Sequence, residues 1–83
     1  MTPDEFNEKY KDFLEDRHYG MSISNEKVID FLDKEFKKEI ATNPEFSYSQ
    51  IKTKFSYVRI YAETLDKATL YKWENDVQLI LKE

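Results

Sequence analysis

The sequence predicts an all-α fold: a compact bundle of about four short helices, near residues 3–17, 25–41, 48–63 and 66–81, in one small domain over 1–83. Three observations predict it. Capping residues stand at Thr2, Ser24, Ser47 and Asp66, each ahead of an apolar stretch. Apolar side chains then recur at three- and four-residue spacing. Gly20 and Asn43-Pro44 fall where such stretches should stop. The alternative is α+β, if the β-branched and aromatic run 55–61 is a strand.

The first helix starts on Thr2, Pro3 and Glu5. Thr caps, Pro suits the first helical position, and Glu three residues after the cap closes a capping box. Phe6, Tyr10, Phe13 and Leu14 follow at helical spacing, and Gly20 ends the segment. The second helix starts at Ser24, with Ile23 and Val28 as a hydrophobic staple. Val28, Ile29, Leu32, Phe36 and Ile40 mark its buried side. Its acids come early and its lysines late, which suits the helix dipole. Ser47 with Gln50, and Phe46 with Ile51, repeat the capping-box and staple patterns for a third helix. Ile51, Phe55, Val58, Ala62 and Leu65 carry its spacing, with a break near Ser56 as a variant. The fourth helix, capped by Asp66, has a seam of Leu70, Trp73, Val77 and Ile80. Leu79 and Leu81 fall off that seam, so the C-terminal segment is either wrapped by the fold or a self-association surface. The expected core is Phe6, Tyr10, Phe13, Leu14, Val28, Leu32, Phe36, Ile51, Phe55, Val58, Leu70, Trp73, Val77 and Ile80.

Composition excludes several chemistries. There is no Cys, one His and one Gly among 83 residues. Disulfides, thiolate chemistry and a closed structural zinc site are therefore out, as are Gly-rich phosphate loops. No metal and no cofactor is implied. The longest apolar run is three residues, too short to span a membrane. The acidic start Met1-Thr2-Pro3-Asp4-Glu5 lacks the order of a signal peptide, so a cytoplasmic setting is expected. His18, the one candidate base, sits in Asp16-Arg17-His18-Tyr19 with no nucleophile paired to it by any motif. Its expected role is that of an exposed or helix-end residue. A chain of 83 residues has little room for a core and a substrate cleft together, so no enzyme is expected.

Charge is unevenly distributed. Residues 1–46 hold 7 basic and 12 acidic side chains, net −5; residues 47–83 hold 6 and 5, net +1. Asp4, Glu8, Asp12 and Glu15, with Glu5 and Asp16, would form an acidic stripe on the first helix. Within 47–62 lie Lys52, Lys54 and Arg59 with no acid, interleaved with Tyr48, Phe55, Tyr57 and Tyr61. Cations among rings are what nucleic-acid surfaces use. In its shortness, acidity, lack of Cys and wealth of Lys, Asn and aromatics the chain looks like many small bacterial or phage proteins. No motif reaches a named family.

The expected function is therefore binding. The leading class is a small acidic protein–protein interaction module, a regulator, adaptor or inhibitor, with exposed anchors Tyr57, Arg59, Tyr61 and Tyr71. Another protein is the expected partner, a homodimer is a further option, and no membrane is expected. The alternative is a helix-turn-helix nucleic-acid binder. It would use Ser47–Phe55 as first helix, Arg59–Leu70 as recognition helix, and Lys52, Lys54, Arg59 and Lys67 as contacts. Phe55, Tyr57 and Val58 also match in part the aromatic strand of an RNA-recognition motif, without its glycines.

Overall fold

The computed structural model describes residues 1–15 and 19–83. Its architecture is α+β: three helices and a three-stranded mixed sheet, in place of the expected all-α helical bundle. His18 and the neighbouring Asp16 lie outside the described residues.

The capping box at the start forms as read. Thr2 Oγ1 accepts from Glu5 N–H at 3.1 Å, and Thr2 N–H donates back to Glu5 Oε1 at 2.9 Å. The helix α1 covers only Pro3–Lys9, however, and a 3-10 turn follows at Lys11–Phe13. The expected helix to 17 fails because the backbone finds partners outside it. Glu15 N–H donates to Tyr48 O at 2.8 Å, and Tyr48 N–H donates to Phe13 O at 2.9 Å. Leu14 thus bridges Tyr48 in parallel. The acidic stripe is broken with the helix: Asp4, Glu5 and Glu8 remain on α1, while Asp12 and Glu15 leave it.

Strand β1, Gly20–Met21, continues this parallel edge. Gly20 has φ +69, and a Cβ there would collide with the Asn7 carboxamide, so the position needs glycine twice over. It opens a strand; the helix it was read to stop has already ended at Lys9.

Helix α2 spans Glu26–Thr42, close to expectation. Its cap is Asn25, one residue past Ser24, with the side chain accepting from Lys27 and Val28 N–H. Asn43 before Pro44 ends it, as read.

Residues 48–63 do not form a helix. Strand β2, Gln50–Lys54, and strand β3, Tyr57–Tyr61, form an antiparallel hairpin whose pairs run from Gln50 with Tyr61 to Lys54 with Tyr57. The run carries two periods at once. Ile51, Phe55, Val58 and Ala62 fit a helix; Ile51, Val58 and Ile60 with Lys52, Arg59 and Tyr61 fit alternation. The parallel edge offered by residues 13–15 and 20–22 decides between them, since Ser22 N–H reaches Ile51 O at 3.0 Å. Ser47 makes no capping box; its N–H donates to Thr64 Oγ1 at 2.9 Å. With no helix at 47–55 and a strand where the recognition helix would begin, the helix-turn-helix reading is corrected as well.

Helix α3, Lys67–Leu81, is capped by Asp66, whose carboxylate accepts from Thr69 N–H at 2.9 Å. Trp73 and Val77 are buried; Leu70, Ile80 and Leu81 pack partly against the core, and Leu79 is exposed.

The core lies on one side of the sheet. Phe36 of α2 sits at its centre, with ring centroids of Phe6, Tyr10, Phe46, Tyr48 and Trp73 between 4.9 and 5.6 Å away. Tyr48, read as part of the basic aromatic stretch, is fully buried here, and Phe55, read as core, is 85% exposed. Both sheet edges are blocked by helix side chains. Asn7 of α1 pairs with the N–H and C=O of Met21 at 2.7 and 3.0 Å. Along β3, Gln78 accepts from Val58 N–H at 3.0 Å and Glu74 from Ile60 N–H at 2.9 Å. No helix among the described residues is long and apolar enough to cross a membrane.

Candidate functional site

Strand alternation sorts the hairpin side chains. Ile51, Val58 and Ile60 turn into the core. Gln50, Lys52 and Lys54 of β2 and Tyr57, Arg59 and Tyr61 of β3 therefore share the opposite, outer face. Tyr57 is 63% exposed, Tyr61 is 44% exposed, and Arg59 stands exposed between them.

Register makes this face unusual. Lys52 is the direct cross-strand partner of Arg59. Like charges placed opposite each other weaken a strand pair. None of Lys52, Lys54 and Arg59 forms an ion pair with a described residue, as is also true of Lys34, Lys67, Lys72 and Lys82, while Lys9, Lys11, Lys27, Lys37 and Lys38 do. The cations lean on rings instead. Lys52 Nζ lies 5.7 Å from the Tyr61 ring centroid, and Lys54 Nζ 5.8 Å from that of Phe55.

The hairpin tip is a two-residue turn with Phe55 at φ 53 and Ser56 at φ 68. Two left-handed residues are what a tight hairpin needs, normally supplied by Asn-Gly. Here they hold the Phe55 ring out beyond the last strand pair. Beside the tip lies an open cleft of about 610 Å³ lined by Thr53, Ser56, Tyr57, Gln78, Leu81 and Lys82. Among the described residues that line it there is no carboxylate and no histidine.

The structure thus joins two sets of residues that the sequence suggested separately. Tyr57, Arg59 and Tyr61 of the protein-contact set share one face with Lys52 and Lys54 of the nucleic-acid set. Tyr71 and Lys67 lie on α3 and not on the hairpin. Tyr71 is 64% exposed on α3, on the flank that carries Glu74, and Lys67 is the first residue of that helix. Gln50, paired with Tyr61, belongs to the face and was missed. Two-residue alternation from Gln50 was the signal that could have found it.

The other polar cluster is structural. Asp33 of α2 holds Lys9 at 2.7 Å and Lys37 at 3.4 Å, and accepts a hydrogen bond from the Tyr10 hydroxyl. Burial pushes the Asp33 carboxyl up, but hydrogen bonds from Lys9, Tyr10 and Lys37 together outweigh it and hold the group below its ordinary 3.8. The Tyr10 hydroxyl is raised by burial and by Asp33. No group of three or more His, Asp or Glu suited to a metal occurs among the described residues. Compared with known protein families, curated proteins and solved structures, the chain finds no match.

Proposed function

We propose that the protein is a non-catalytic interaction module, a regulator, adaptor or inhibitor, that docks through the outer face of the β2–β3 hairpin onto a negatively charged partner. One observation carries this reading: Lys52 and Arg59 are held opposite each other in the ladder with no acid paired to either among the described residues. A hairpin built for stability alone would place an acid at one of these positions, because opposite charges there stabilise and like charges do the reverse. An anionic partner turns that cost into attraction. Tyr57 and Tyr61 add contact area at low conformational cost.

The test is retention on immobilised poly-L-glutamate. A chain of net charge −4 is expected to pass through. The face should retain it at low salt and release it as salt rises. The pair Lys52→Glu and Arg59→Glu should abolish retention without unfolding the protein, since both side chains point outward. Equal behaviour of wild type and variant on poly-L-glutamate and on a second, chemically different polyanion would overturn the reading.

A further inference from the structure

We infer that the partner of this face is single-stranded nucleic acid, an inference that rests on the docking reading and names its occupant. Side chains two residues apart on a strand leave the backbone about 6.6 Å apart, so Tyr57 and Tyr61 project from β3 at points about 13 Å apart with Arg59 midway. Rings that far apart would take bases that are not neighbours on the strand, with the intervening phosphates over Arg59. Across the ladder Lys52 doubles the cation beside Arg59, and Lys54 beside Tyr57 extends the charge toward the tip. Both tyrosines are exposed, and the outer face is an open platform that a splayed strand can cross.

The same residues suit an acidic protein surface less well. Protein interfaces centre on a desolvated apolar cluster and are depleted in Lys. The six outer residues, Gln50, Lys52, Lys54, Tyr57, Arg59 and Tyr61, include no aliphatic side chain and two lysines. A duplex suits it less well too, because its bases are already stacked and out of reach of the rings.

The experiment is fluorescence anisotropy with labelled oligothymidylate of about 12 nucleotides, from roughly 50 to roughly 200 mM salt. A duplex of equal length and poly-L-glutamate serve as comparisons. We expect oligothymidylate to bind at least about tenfold tighter than the duplex, the scale of one stacked base. Three phosphate contacts predict a slope of about −2 in log affinity against log salt. Tyr57→Thr and Tyr61→Thr, which keep strand propensity, should each weaken binding about tenfold and leave that slope unchanged. Lys52→Gln and Arg59→Gln should each reduce the slope by about 0.7. Binding to poly-L-glutamate without binding to oligothymidylate would overturn this inference and leave the docking reading standing. So would equal affinity for strand and duplex with both tyrosine variants unaffected. Binding to neither polyanion would overturn both.

Discussion

Replacing Phe55-Ser56 by Asn-Gly should stabilise the protein. Both residues lie in the left-handed region, at φ 53 and φ 68. For a residue with a Cβ that conformation costs about 1 kcal/mol or more, while Asn tolerates it and Gly adopts it freely. Relief at both positions is worth about 2 kcal/mol. Little is lost in exchange. Phe55 is 85% exposed, and its ring contact with Lys54 at 5.8 Å is worth about 0.5 kcal/mol at such a site. Glycine adds about 0.5 kcal/mol of entropy to the unfolded chain. The net gain is about 1 kcal/mol, or about 4–8 °C in Tm for a domain of this size. Trp73, the sole tryptophan and buried, reports urea unfolding, and far-ultraviolet dichroism reports the thermal transition. Ser56→Gly alone should give about half of the effect. A lower urea midpoint at unchanged m-value would refute the reasoning, because it would mean that the Phe55 ring stabilises the fold by more than its backbone geometry costs.

Asp33→Asn should destabilise the fold by about 1–2 kcal/mol at neutral pH, since Lys9, Lys37 and the Tyr10 hydroxyl all lose a charged acceptor. The folded Asp33 pKa lies below 3.8, so its contribution is complete above the unfolded value and fades as pH falls through the folded one. Urea midpoints of wild type and variant should therefore differ fully at pH 7 and converge below about pH 4. Alanine at both Glu74 and Gln78 uncovers the N–H groups of Ile60 and Val58 and should produce concentration-dependent self-association by light scattering. A variant that stays monomeric would show that the edge needs no such cover. The Tyr48 hydroxyl is buried without a partner among the described residues, and burial pushes its pKa up to about 12. Tyr48→Phe should consequently be neutral or stabilising by up to about 1 kcal/mol in chemical denaturation.

How far the fold was legible depended on whether a signal was local. The capping box at Thr2, the stop at Asn43-Pro44 and the Asp66 cap of α3 all formed as read, because each is a hydrogen-bonded unit complete within a few residues. The apolar seam of α3 and most of the aromatic core were legible for a similar reason. Helical periodicity is strong where no competing period is present. The site was legible in part. Tyr57, Arg59 and Tyr61 were found by type, and Lys52 and Lys54 by charge, but the two sets were assigned to different partners.

What sequence could not decide is the state of 48–63 and of the chain after Lys9. Both stretches carry apolar residues that satisfy a helix, and a helix closes its own hydrogen bonds without help. The strands of the sheet close theirs only on one another. Phe13 and Glu15 meet Tyr48, Ser22 meets Ile51, and the β3 edge is finished by Glu74 and Gln78 from α3. Those partners are separated by between 14 and 35 residues, so no window along the chain contains them. Composition and local caps by themselves determined a small Cys-free acidic chain with helices at its beginning, middle and end. Tertiary pairing alone decided that the basic aromatic run would be a hairpin, and with that which of its side chains face the core and which face outward together.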